Sequence, residues 1–142
     1  MPGNFSGDVT PEQAWLALAN DPNAVLVDVR TKAEWTYVGC PDLSTLSHQV
    51  NQILLVEWQR FPTMEINPSF LEEIRDGGIA TDQPLYLICR SGFRSRAAAE
   101  FLAGRGFTTH NITDGFEGQL DSDCHRGSRN GWKTAGLPWK QS

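Results

Sequence analysis

Cysteine is scarce in this chain. Cys40, Cys89 and Cys124 are the only three in 142 residues, and an odd, small number is no disulfide framework. Basic charge is in deficit: 12 Lys and Arg against 17 Asp and Glu leave a net charge of −5. That balance argues against a nucleic-acid partner, although a small basic pocket remains compatible with it. Long apolar runs are missing too. None approaches the roughly 20 residues needed to span a bilayer, so no membrane partner is expected. Met1 to Thr10 has neither a positively charged start nor an apolar stretch behind it, hence no signal peptide is read there. These absences together predict a cytoplasmic, reducing setting, which suits a working thiol. Internal repeats and low-complexity linkers are likewise absent. The length and the 39% apolar content fit one domain with a real core.

The most informative stretch runs from Leu85 to Ser95. The apolar run Leu85-Tyr86-Leu87-Ile88 leads into Cys89, and a polar loop, Arg90-Ser91-Gly92-Phe93-Arg94, follows. A helix-forming run then extends through Arg96-Ala97-Ala98-Ala99 to Ala103. The pattern predicts strand, loop and helix, with Cys89 at the strand end and the helix N-terminus beside it. Loop N–H groups turned toward the sulfur would make an anion site around a nucleophile. A free thiol is mostly protonated at neutral pH, and backbone donors, a helix N-terminus and arginines all favour its charged form. Gly92 permits positive φ and close backbone approach. Arg90 and Arg94 are permanent cations with paired donors for an oxyanion. A lone cysteine ending a strand is most often a small buried hydrophobe. The arginines, the glycine and the helix start beside Cys89 weigh against that.

Around this stretch the chain alternates strands and helices. Thr10, Pro11 and Gln13 read as a capping box opening a helix with Trp15, Leu16, Leu18 and Ala19 on its apolar face. Asn20 to Asn23 is a turn. Ala24 to Arg30 is a strand buried on both faces. Thr31 and Glu34 form a second capping box for a short helix to about Val38, stopped by Gly39-Cys40-Pro41. Ile53 to Val56 is read as a strand in preference to a helix from Leu46 through Trp58. Arg60 to Ile66 is read as a loop carrying hydrophobes. Asn67 and Pro68 open a helix with Phe70, Leu71 and Ile74 inward and Gly77-Gly78 at its end. In the helix after the cysteine loop, Ala97, Ala98, Phe101 and Leu102 are expected to face the core. Phe107 to Ile112 is a last strand, Thr113-Asp114-Gly115 a turn, and Phe116 to Leu120 one helical turn. Asp121 to Asn130 is irregular. Trp132 and Trp139 are expected to pin the tail to the body. The fold class is therefore α/β: a central parallel sheet of about five strands with helices on both faces, joined by right-handed crossovers. Ligands of such sheets sit beyond the carboxyl ends of the strands, where Cys89, Asp28 and Arg30 all fall.

Three motifs resemble the rhodanese family of sulfurtransferases. Cys89-Arg90-Ser91-Gly92-Phe93-Arg94 is similar to its C-R-x-G-x-R loop. Val27-Asp28-Val29-Arg30 with Glu34-Trp35 is similar to its D-V-R-x-x-x-E-aromatic stretch, and Thr113 to Gly118 resembles the segment that closes the domain. The resemblance covers roughly residues 10–118. It implies a rhodanese-like domain spanning 1–142, its core at about 10–118 and a C-terminal extension, 119–142, packed on it. It also implies a persulfide on Cys89. The thiolate would take a sulfane sulfur from thiosulfate or a persulfide donor and pass it to a thiol, to cyanide or to a protein sulfur-relay partner. No cofactor is implied. Arg90, Ser91, Gly92, Phe93 and Arg94 would bind the anionic substrate. Cys40 stands where the family often carries a histidine, in Gly39-Cys40-Pro41-Asp42-Leu43.

Other candidates read more plainly. Asp28, Arg30 and Glu34 are expected to brace the loop, with Glu34 also capping its own helix. Cys40 reads as structural before it reads as a second, resolving thiol. Cys124 and His125 lack further ligands at metal-binding spacing, so no metal site is expected. His48 and His110 are ordinary surface or packing residues, and Trp58 and Arg126 are candidates for the pocket mouth. A cysteine phosphatase is the main enzymatic rival. Its loop needs five residues between Cys and Arg to fit a tetrahedral phosphate, whereas four separate Cys89 from Arg94. A general acid is not evident either. The non-enzymatic rival is a rhodanese-like binding or sensing module. Such modules usually lose the cysteine or the loop arginines, and this chain keeps all three.

Overall fold

Five strands lie side by side and parallel, in the order Phe5–Val9, Thr109–Ile112, Leu85–Ile88, Val25–Asp28 and Ile53–Leu55. The structure is a computed structural model, and it describes residues 5–44, 52–60, 63, 65–118 and 131–140. The elements in chain order are β1 (Phe5–Val9), α1 (Pro11–Asn20), β2 (Val25–Asp28), α2 (Lys32–Tyr37), β3 (Cys40–Pro41) and β4 (Ile53–Leu55). They continue with β5 (Gln59–Arg60), β6 (Glu65–Ile66), α3 (Phe70–Asp76), β7 (Leu85–Ile88), α4 (Phe93–Ala103), β8 (Thr109–Ile112) and β9 (Trp139–Lys140).

The sheet is covered on both faces, as its apolar strands require. On one face Val25, Val27, Leu85 and Leu87 pack with Phe70 and Ile74 of α3 and with Ala98, Ala99 and Leu102 of α4. On the other, Leu26, Ile88 and Ile112 pack with Ala14 and Leu18 of α1 and with Phe116 and Trp132. Truncating any of these leucines to alanine is expected to cost about 2–5 kcal/mol. Trp132 is fully buried. Its backbone N–H donates to Gly115 O at 2.8 Å and its Nε1 to Pro138 O at 2.7 Å, so Trp132 ties residues 131–140 to the core.

Local signals placed the helix starts. Thr10 Oγ1 accepts from Gln13 N at 3.1 Å, while Gln13 Oε1 accepts from Thr10 N at 2.9 Å. Thr31 and Glu34 form the same reciprocal box. Four expectations are corrected. The inward stripe of α1 is Pro11, Ala14 and Leu18, and Leu16 is 60% exposed. In α4 the stripe is Ser95, Ala98, Ala99, Leu102 and Ala103, with Ala97 on the outside. Helix α3 starts at Phe70, because Asn67 accepts from Ser69 N at 3.0 Å and shapes a turn before the helix instead of capping it. Finally, Gln59–Arg60 and Glu65–Ile66 pair as an antiparallel hairpin where a loop was expected. The strand over Ile53–Leu55 stands, in register with Leu26, Val27 and Asp28. The alternative helix from Leu46, the loop hydrophobes Phe61 and Met64, the helical turn from Phe116 to Leu120 and the segment 121–130 lie wholly or partly outside the described residues.

Candidate active site

All five parallel strands end on the same edge of the sheet. Asp28 ends β2 opposite Ile88 of β7, and Cys89 follows Ile88 directly. Cys89 is 1% exposed. Its Sγ accepts a hydrogen bond from Gly92 N at 3.1 Å and lies 3.3 Å from Ser95 Oγ. Gly92 sits just ahead of α4 with φ +108, a left-handed conformation that lets the chain double back over the sulfur before the helix starts. Phe93 opens the helix and is 85% exposed at the rim, with Arg90 exposed beside it.

The loop is held from below by the segment after β8. Phe116 N donates to Cys89 O at 2.8 Å, and Glu117 N and Gly118 N both donate to Arg90 O, at 3.0 and 3.1 Å. This contact needs a glycine. A Cβ on Gly115, whose φ is +58, would stand 2.4 Å from Cys89 O and 2.6 Å from both Arg90 C and Arg90 O. In a trans peptide the C=O and the following N–H point in opposite directions. Holding the carbonyls of Cys89 and Arg90 therefore turns the N–H groups of Arg90 and Ser91 away from the closing segment.

Two ion pairs flank the loop. Arg94 meets Glu34 as a fork, Nη1 to Oε1 at 2.7 Å and Nη2 to Oε2 at 2.9 Å. Glu34 thus caps α2 and clamps α4 at once. Burial pushes the Glu34 carboxyl up, but the hydrogen bonds and charge of Arg94 outweigh this and hold it below the usual range. Burial likewise opposes the Arg94 charge, and Glu34 overrides it and raises the pKa. Asp28 and Arg30 are both fully buried. Arg30 Nε donates to Asp28 Oδ1 at 3.0 Å, and Nη2 donates to Asp28 Oδ2 at 2.7 Å and to Gly39 O at 2.6 Å. The Arg30 guanidinium carbon lies 4.3 Å from the centre of the Phe116 ring. The pair therefore supports the Cys89 loop at one remove, through Phe116.

Residues that sequence reasoning did not single out complete the surroundings. Ser95, Asn111 and Asp8 form a hydrogen-bonded row leading from Cys89 to the surface. Asn111 is buried, but its neighbours Thr109 and His110 in β8 are polar too, so nothing in the local sequence sets it apart. A cleft of about 240 Å³ opens beside the loop, lined in part by Ser91, Gly92 and Phe93 and by Asp8, Arg96 and Asp114.

A sequence profile of the rhodanese-like domain matches residues 10–121. The chain belongs to that family. The crystal structure of Rv0390 from M. tuberculosis is 47% identical, with a TM-score of 0.86 over 98% of this chain and 100% of that one. An uncharacterised protein of Rickettsia rickettsii is 37% identical over 134 residues, 94% of this chain and 96% of its own. The thiosulfate sulfurtransferase GlpE of Actinobacillus pleuropneumoniae is 27% identical over 132 residues, 92% of this chain and 90% of its own.

In this rhodanese-like chain the structure brings Cys89, Gly92, Arg94 and Glu34 together, with Asp28 and Arg30 one layer below. Cys40 is half-buried, its Sγ 3.8 Å from Trp35 O. Burial and the neighbouring Asp28 push its thiol pKa up. Trp58 is 7% exposed and packs edge-on against Phe70, so it belongs to the core and not to the pocket mouth. His110 stacks on Tyr86 at 4.5 Å. His48, Cys124, His125 and Arg126 lie outside the described residues. Among the described residues no cluster of His, Cys, Asp and Glu has metal-binding spacing, and no helix is long and apolar enough to cross a membrane.

Proposed function

We propose that this rhodanese-like protein is a sulfurtransferase that carries sulfane sulfur as a persulfide on Cys89. The observation that carries the reading is the Cys89 sulfur, recessed at the strand end, receiving the Gly92 N–H and backed by the N-terminus of α4. The Cys89 thiolate attacks the outer sulfur of thiosulfate. A sulfur–sulfur bond forms to Sγ, the bond to the sulfonate sulfur breaks, and sulfite leaves with the electron pair. A thiolate or cyanide then attacks the terminal sulfur, giving a new persulfide or thiocyanate and returning the Cys89 thiolate. Splitting the transfer in two predicts ping-pong kinetics. Loop N–H groups stabilise the charge on the bound sulfur, and Arg90 and Arg94 draw the donor anion. The likeness to a thiosulfate sulfurtransferase supports thiosulfate as donor, with a thiol, free or on a relay protein, as acceptor.

Intact-mass measurement after incubation with thiosulfate tests this. One added sulfur is expected, lost on addition of cyanide and never formed in Cys89→Ser. A wild-type protein that gains no sulfur from thiosulfate, polysulfide or a persulfide would refute it.

A further inference from the structure

The row behind Cys89 has a direction that its hydrogen-bond chemistry dictates. Asp8 Oδ1 lies 3.0 Å from Asn111 Nδ2. An ionised carboxylate only accepts, so the Asn111 amide must turn its NH2 to Asp8 and its oxygen inward. That oxygen, Oδ1, faces Ser95 Oγ in a short contact. Two oxygens that close need a proton between them, and only the serine carries one. The single Ser95 hydroxyl hydrogen is therefore committed to Asn111, away from the weaker acceptor Gly92 O at 3.4 Å. What Ser95 turns to Cys89 Sγ, 3.3 Å away, is a lone pair. A lone pair accepts from a thiol S–H and repels a thiolate.

We propose that Asp8 and Asn111 are positioning residues that fix the direction of the Ser95 hydroxyl, so that it accepts from the Cys89 thiol instead of donating to the thiolate. The inference rests on Cys89 as the reacting group. Hydrogen bonding to the neutral form of an acid disfavours its ionised form. The row thus opposes what the Gly92 N–H and Arg94 promote. Once a persulfide forms, the charge moves to the terminal sulfur, one bond further from Ser95, and Sγ becomes a neutral divalent sulfur. The row therefore destabilises the free thiolate more than the persulfide, and tilts the first half-reaction toward sulfur uptake.

Other charges reach this site and must be separated from the row. Arg94 on α4 acts on Cys89 but is clamped by Glu34 of α2. Arg96 on α4 holds Asp8 at 3.4 Å. Asp114 lines the same cleft from the turn after β8, and Arg90 stands on the loop itself. Asp28 at the end of β2 is paired with Arg30. His110 on β8 stacks against Tyr86 on the far side of the strand from Asn111.

The test is a cycle on the full chain, read as the pH dependence of iodoacetamide alkylation at Cys89 by peptide mass mapping. Asp8→Ala leaves Arg96, a pure donor, facing the amide. Asn111 then turns its oxygen outward and its NH2 to Ser95, and the hydroxyl is free to donate to sulfur. The alkylation midpoint of Asp8→Ala is expected to fall by about one pH unit, the size of one hydrogen bond to a charged group. The same fall is expected of Asn111→Ala, which frees the hydroxyl directly and serves should loss of Asp8 loosen β1. Both falls are expected to vanish when Ser95→Ala is added. A fall that persists without Ser95 is a through-space charge effect and overturns the proposal, and so does an unchanged midpoint in Asn111→Ala. Alkylation needs no sulfur transfer, so a protein that takes up no sulfur would refute the proposed activity and leave this cycle readable.

Discussion

Replacing Gly115 by alanine measures what the closing segment does for the Cys89 loop. The residue has φ +58, and its Cβ would stand 2.4 Å from Cys89 O and 2.6 Å from Arg90 C and O. The left-handed backbone alone costs an L-residue about 1–2 kcal/mol, partly offset by about 0.4–1 kcal/mol from a stiffer unfolded chain. The collision adds to this. Its partners are backbone atoms, so no rotamer relieves it, and the segment must back away from the loop. The hydrogen bonds from Phe116, Glu117 and Gly118 then lengthen from 2.8, 3.0 and 3.1 Å. At roughly 1 kcal/mol each, their loss adds up to about 3 kcal/mol. Gly78 supplies the control, because its φ is +80 with open space around a Cβ. Urea unfolding is expected to show a loss of about 3–4 kcal/mol for Gly115→Ala against about 1 kcal/mol for Gly78→Ala. Cys89, 1% exposed in the native chain, is expected to alkylate faster in the first variant alone. Equal losses in the two variants would refute the reasoning, since the strained backbone would then account for everything.

Acid is expected to weaken the clamp between α2 and α4. Glu34 has a folded pKa below its ordinary value, where burial is outweighed by Arg94. Its contribution is therefore complete above about pH 4.3 and is lost as pH falls through the folded value. Wild type and Glu34→Gln should differ in stability at neutral pH and converge in acid, and parallel curves would contradict this. The loop arginines should also separate by assay. Arg90 is exposed and, among the described residues, has no salt-bridge partner, whereas Arg94 is half-buried against Glu34. Arg90→Ala is expected to raise KM for thiosulfate about tenfold with kcat little changed, the loss of one charge-assisted contact. Arg94→Ala should cost stability as well, visible in the same unfolding assay.

What was legible in the sequence was local. The two capping boxes, the strand into Cys89 and the helix after it depend on residues within four or five positions of one another, and they stand where periodicity and cap chemistry put them. The two-residue strands β3, β5, β6 and β9 carry no period to read. Leu16 lies off the buried face of α1, and in a short helix an apolar residue one place off the stripe looks the same in sequence as one on it. Pairings across the chain were not legible at all. Glu34 meets Arg94 across 60 positions and Asp8 meets Asn111 across 103. Gly115 was visible as a turn residue, but its close approach to Cys89 and Arg90 exists only once β7 and β8 are neighbours.

These non-local contacts decide what surrounds the sulfur. The guanidinium groups of Arg30 and Arg94 are each matched to a carboxylate, so their charges are largely spent on holding walls together. Donors fixed by the backbone remain. The Gly92 N–H is already on Sγ, and the N–H groups of Arg90 and Ser91 are oriented by carbonyls that the closing segment grips from behind. Dipoles set by the fold need no rearrangement when charge arrives on the sulfur, and this is where a preorganised site gains most over water. On this account Arg90, exposed and without a carboxylate partner among the described residues, governs how an anion arrives. The glycine at 115, which touches neither sulfur nor substrate, governs whether the donors point anywhere useful once it has.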